Sequence, residues 1–233
     1  MIGRTRAVIA MAALLAAVSV APPEAVAMEE GVFSFLQVEA DYAAEGRSAR
    51  WDGQGWMGTN DHKLWVKTEG ARADGALEEA EVQVLYSRFI ADFWDAQAGV
   101  RHAVEPDGVT YAVVGVQGLA PYWFETDLAA FLNEAGDLSA RADLSYELLF
   151  TQRLIAEINL NGDYVLKTDR RRGIGRGATI ETGIQLRYEI VREVAPYVEF
   201  TAANLTGDAA DLARDEGRAA RERVVRVGLR LWY

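Results

Sequence analysis

The residues of this chain best placed to do chemistry are carboxylates, and they recur on the polar phase of alternating runs. Glu39, Asp41, Glu79, Glu81, Asp95, Glu125, Asp127, Asp143, Glu147, Glu157, Glu181 and Glu189 all fall on that phase, and Glu69, Glu199 and Glu222 continue it. The bases that share it are fewer: Lys63, Lys67, Arg101, Arg141, Arg153, Arg187, Arg226 and Arg230. An excess of acid gathered on one face of a structure produces a negative potential that concentrates cations. The plainer reading is that these charges solvate and cross-brace the interior of a small barrel.

Softer ligands are scarce. The chain has no cysteine, which excludes disulfides, thiolate metal sites, iron–sulfur clusters and cysteine nucleophiles. Met57, Asp61 and His62 flank the turn Thr59-Asn60-Asp61. They offer a thioether, a carboxylate and an imidazole, donors that transition-metal ions accept. They are therefore the candidate metal site. His62 also shares the phase of Leu64 and Val66, and His102 that of Val100, so both histidines equally fit the apolar face of a strand at its polar rim. Neither histidine has a serine partner in sequence, so no enzymatic activity is expected. The run Gly173-Ile174-Gly175-Arg176-Gly177 lacks the strand and spacing of a dinucleotide loop. Beside it, Arg170, Arg171 and Arg172 suit either lipopolysaccharide phosphates or plain solvation. A net charge of −11, from 24 basic and 35 acidic residues, argues against a nucleic-acid partner.

The elements that must position these groups are strands. Apolar residues alternate with polar ones in stretches of about ten residues, as in Leu138, Ala140, Ala142, Leu144 and Tyr146 against Ser139, Arg141, Asp143, Ser145 and Glu147. The pattern predicts twelve strands, near 33–42, 53–59, 62–70, 78–87, 93–102, 110–119, 123–132, 138–148, 153–162, 178–190, 196–205 and 222–233. Strands this long match a tilted membrane crossing. Aromatic residues gather near their ends, with Tyr86, Phe89, Phe93, Trp94, Tyr122, Trp123, Phe124, Tyr146, Phe150, Tyr188 and Tyr197 expected in one girdle. Tyr42, Trp51, Tyr111, Phe131 and Tyr164 are expected in the other. Short turns should alternate with longer polar loops at 43–52, 71–77, 103–109, 163–177 and 206–221. The expected fold is all-β, a twelve-stranded antiparallel transmembrane β-barrel of outer-membrane type. A cleaved signal peptide should precede it, because Arg4 and Arg6 lead the apolar run Ala7 to Ala21, and the small-residue site Ala25-Val26-Ala27 follows. Residues 1–27 are thus read as the signal peptide and 28–233 as the barrel domain.

Several stretches are spelled in ways that no structural rule requires: WDGQGWMGTNDHKLWVKTEG (51–70), AEVQVLYSRFIADFWDAQAGVRH (80–102), VVGVQGLAPYWFETDLAAFL (113–132), LLFTQRL (148–154), GIGRG (173–177) and LRYEIVREVAPYV (186–198). Together they resemble the outer-membrane copper resistance protein B family, over essentially the whole length after the signal peptide. The resemblance implies an outer-membrane barrel of a Gram-negative bacterium, set among outer-membrane lipids and lipopolysaccharide. It implies copper ion as the ligand and a periplasmic copper-handling protein as partner. Many members carry a Met- and His-rich segment before the barrel, and here only Met28 to Val32 stand between the expected cleavage site and the first strand. The expected function is copper resistance, by binding copper or allowing its export. The alternatives are a narrow cation-leaning porin or scaffold without copper selectivity and, third, a soluble ligand-binding barrel.

Overall fold

The computed structural model describes residues 31–106, 108–167, 175–215 and 217–233. The expected signal peptide and Arg170 to Ile174 lie outside the described residues. Twelve antiparallel strands form the fold. The first six are β1 (Phe33–Ala43), β2 (Ser48–Gly58), β3 (His62–Ala73), β4 (Ala76–Ala91), β5 (Trp94–Glu105) and β6 (Val109–Ala120). The others are β7 (Phe124–Asn133), β8 (Leu138–Leu149), β9 (Leu154–Val165), β10 (Gly177–Tyr188), β11 (Val194–Leu205) and β12 (Arg221–Trp232). Each pairs with its sequence neighbours, and β1 pairs with β12, so the sheet closes into a barrel with no free edge.

Alternation assigns each side chain to one of two faces. In β3, Lys63, Trp65, Lys67 and Glu69 turn inward, while Leu64 and Val66 turn outward. Around the barrel, Leu64, Val84, Val114, Ile158, Ile184, Phe200 and Val227 are each at least 42% exposed. Charged Glu81, Arg187, Glu199, Arg226 and Arg230 are buried. That is a soluble protein turned inside out, the arrangement expected when lipid surrounds the barrel and water fills it. Among the described residues no helix is long and apolar enough to cross a membrane, and the strands supply the crossing.

Three loops expected from the sequence are shorter than supposed, because the strands run on into them. β2 begins at Ser48, β3 and β4 run to a two-residue turn, and β5 reaches Glu105. The β3–β4 turn is Asp74-Gly75, with φ of 48° and 84°. Two consecutive left-handed residues make a tight hairpin whose twist matches its strands. The length asymmetry therefore rests on two connections, 166–176 and 206–220, and the end that carries them is the outward one by the general rule for such barrels. The second of these contains a helix that the sequence reading did not anticipate, α1 (Gly207–Asp215), which packs against β10 and buries Ala210 and Ala213. One expected girdle is also thinner than supposed. Tyr42 and Tyr164 are outward and exposed, and Trp51 is outward with its ring over Gly70 and its indole N–H donating to Thr68 Oγ1, but Phe131 is 1% exposed and lies inside, as does Tyr111. Tyr197, expected in the other girdle, is likewise inside. Strand phase explains this, because Phe131 is an even number of residues from the inward Asp127.

Candidate functional site

Register sets the electrostatics of the lumen. Asp52 on β2 stands opposite Glu39 on one side and Glu69 on the other, and Glu69 in turn opposes Glu81 on β4. Like charges directly opposite repel, so the barrel needs cations placed among them. It takes them from distant strands. Arg141 on β8 reaches across to Glu69 at 2.6 Å and Glu81 at 3.2 Å, and holds Asp163 of β9 at 2.9 Å. On the ring of twelve, β8 and β3 are five places apart, nearly opposite, so this guanidinium spans the lumen. Glu81 also pairs with Arg101, and Lys67 of β3 crosses to Asp127 of β7. Lys63 meets Asp95 at 2.5 Å.

A second group occupies the other side. Arg50 on β2 fans out to Asp41 at 3.0 Å, Glu181 of β10 at 3.1 Å and Glu199 of β11 at 2.5 Å. Arg226 joins Asp41 at 3.2 Å. Nearer the short-turn end, Arg230 links Glu39 at 2.5 Å to Glu157 at 2.7 Å, and Arg187 links Glu147 at 2.5 Å to Glu157 at 2.8 Å. The amides complete the pattern, with Gln185 donating to Glu39 at 3.1 Å and Asn159 donating to Glu199 at 3.2 Å. The forked, always-charged guanidinium suits such sites because it serves several carboxylates at once.

On the far side of the Arg141 group from Arg50, one side of the lumen is apolar. Trp65, Leu85, Val113 and Phe131 point inward and form a buried cluster, with Trp56, Tyr111 and Ala129 packed against it. Its rim is cationic. Lys63 lies over Trp56, Lys67 over Trp65, and Arg101 and Arg141 over Phe131, the last two with centroid distances of 4.6 and 5.7 Å. Gly99 makes the cluster possible. It is registered between Leu85 and Val113, and a Cβ there would run into Val84 O and come within 2.8 Å of Leu85 Cα.

What remains open is a cavity of about 1180 Å³ that runs the length of the barrel, from Leu119 and Arg192 at the short-turn end to Glu79, Asp163 and Thr179 at the long-loop end. Of the sequence-expected acids, Glu39, Asp41, Glu69, Glu79, Glu81, Glu125, Asp127, Asp143, Glu147, Glu157, Glu181, Glu189 and Glu199 line it. Asp95 lies inside, held by Lys63 and by Ser87 at 3.2 Å. Glu222 and Arg153 are exposed and do not line it. Arg50, Asp52 and Asp163 line the cavity as well. Sequence reasoning missed them by starting β2 at 53 and ending β9 at 162. The continued alternation Arg50, Asp52, Gln54 and Asn159, Asn161, Asp163 carries the signal.

The Met57, Asp61 and His62 set sits elsewhere. Met57 is outward and 51% exposed, registered against Leu64. Asp61 is an exposed turn residue, and His62 is stacked on Tyr86, with Nδ1 at 2.5 Å from its hydroxyl. His102 bonds Thr110 at 2.9 Å and is also exposed. Among the described residues, the one group of three or more histidine, aspartate or glutamate side chains whose ligand atoms converge, all within 4.8 Å, is Glu69, Glu79 and Glu81. Two of its members already hold Arg141. The lumen thus offers carboxylate and amide oxygens, donors that suit hard or borderline cations and Cu(II) rather than Cu(I).

Comparison with known proteins adds a family to this geometry. The family model described as copper resistance protein B precursor matches residues 31–233. The copper resistance protein B of Escherichia coli is 36% identical over 199 residues, covering 84% of this chain and 67% of that protein. A copper resistance protein B homolog of Pseudomonas syringae pv. tomato is 37% identical over 199 residues, covering 84% and 68%. Among solved structures, the NanC porin superposes with a TM-score of 0.58 at 15% identity, over 84% of this chain and 98% of that one. The KdgM porin gives a TM-score of 0.50 at 13% identity, with the same coverage. At such identities the porins share the barrel fold alone with this chain.

Proposed function

This chain belongs to the copper resistance protein B family, and on that footing we propose that it lowers periplasmic copper as a conduit in the outer membrane of a Gram-negative bacterium. Copper in this reading is cargo, not a resident cofactor. The observation that supports passage over storage is the continuous cavity lined with oxygen ligands. Met57, His62 and His102, the described residues with thioether or imidazole donors, are on the outer face or rim and exposed. A lumen of carboxylates and amides favours Cu(II), which exchanges readily among such ligands, and does not retain Cu(I). A periplasmic copper-handling protein would deliver the ion at the short-turn end.

The test is growth on copper of a strain lacking this protein, with copper counted in its periplasm. The expected outcome is copper sensitivity and a raised periplasmic content, reversed by the intact gene. Calorimetry on the refolded barrel should show only weak Cu(II) binding, tighter than zinc by no more than oxygen donors ordinarily give. Unchanged growth and unchanged periplasmic copper would overturn the conduit. Micromolar, copper-selective binding abolished by His62→Ala would instead assign the metal to the Met57, Asp61 and His62 set. A second reading, a cation-leaning porin without copper selectivity, draws on the same oxygen-lined lumen. It predicts that zinc and copper sensitivity rise together.

A further inference from the structure

The charges of the lumen are not evenly matched. The bases that the strands point into the lumen, Lys63, Lys67, Arg50, Arg101, Arg141, Arg187, Arg226 and Arg230, are all held in ion pairs, and Arg192 lines the cavity from the turn before β11. Among the described residues five cavity-lining acids have no ion pair, Asp52, Glu79, Glu125, Asp143 and Glu189; Glu79 lies toward the long-loop end and Glu125 and Glu189 at the short-turn end, whereas Asp52 and Asp143 lie at mid-strand. The braces explain where these two acids stand. In the outward half, the Arg50 group ties β2 to β10 and β11, and the Arg141 group ties β3 and β4 to β8. Each tie is a chord across the ring. Space between two such chords is walled by β2 and β3 on one side and by β8 to β10 on the other. Asp52 projects from the first wall and Asp143 from the second, and their strands, β2 and β8, stand six places apart on the ring of twelve, directly opposite. The apolar cluster around Phe131 fills part of what lies beyond the Arg141 chord.

We propose that permeation runs through a slot between the Arg50 and Arg141 braces, and that Asp52 and Asp143, facing each other across it, select small cations over anions. The bases on the strands cannot reverse this preference, because carboxylates neutralise them in place. Opposed carboxylates in a narrow aqueous passage are a recurrent basis of cation selectivity. This deepens the conduit reading and rests on it.

The experiment uses potassium and chloride alone. Purified barrel is reconstituted into a planar bilayer under a KCl gradient and the reversal potential is read. Wild type should pass current with a potassium preference. Asp52→Asn and Asp143→Asn should each reduce that preference about fivefold, the discrimination that a unit charge at roughly 4 Å supplies in water. Asp92→Asn, in an exposed turn, should leave it unchanged. Because the chain has no cysteine, Asp52→Cys and Asp143→Cys provide an independent readout. A charged methanethiosulfonate should block current through either variant and not through wild type. Retained heat-modifiable migration in gels confirms that the variants fold. Selective current with an unmoved reversal potential in both Asn variants would overturn the slot and leave the conduit standing. No current through wild type would overturn both.

Discussion

Arg141 illustrates how much a single guanidinium carries in this lumen. Glu81 is almost wholly buried and relies on Arg141 and Arg101, while Glu69 and Asp163 rely on Arg141 within the ion pairs described. Removing one partner of a buried pair is costly because the other charge is left without compensation. Arg141→Met should therefore cost roughly 3–5 kcal/mol, read as a lowered urea midpoint by tryptophan fluorescence of the lipid-embedded barrel. Adding Glu69→Gln and Glu81→Gln should recover most of the loss. A single variant as stable as wild type would show that water screens these charges fully. The inward phase of Arg141, Glu69 and Glu81 can be read from their strands. Their meeting cannot, because Glu81 and Arg141 lie on strands four places apart and only closure of the ring brings them together.

At the scale of elements, strand phase was readable almost throughout, and the misreadings occurred where one signal was weighed above another. Phe131 suits an interfacial girdle by being aromatic and near a strand end, yet its phase places it with Asp127 and Ala129. The tight β3–β4 turn was announced by Asp74-Gly75, a strong hairpin signal, and was obscured by the polar residues around it. Helix α1 gave little warning, since its buried face is only Ala210 and Ala213. The interior cluster these strands create should behave as a packed core. Phe131→Ala should destabilise by about 3–5 kcal/mol, measured by the same unfolding assay. Gly99→Ala, which forces a Cβ against Val84 O, should cost roughly 1–3 kcal/mol. If both variants matched wild type, the cluster would be loosely packed.

For the molecule as a whole, the decisive contrast is between its two solvents. Ile184 lies near the middle of β10 and is 55% exposed. Ile184→Arg should cost about 2–4 kcal/mol if lipid surrounds the barrel, and within about 0.5 kcal/mol if water does. Folding into vesicles, titrated with urea, separates the two. The cross-lumen ion pairs have a mechanical consequence too. A bare hoop yields to side pressure by becoming oval, whereas a hoop with chords is a truss and keeps its outline. Arg50, Arg141 and Arg230 are those chords, so the width of the passage should be independent of the squeeze of the surrounding bilayer. Unitary conductance should accordingly stay the same in thin and thick lipids, and a barrel stripped of its chords should lose that constancy.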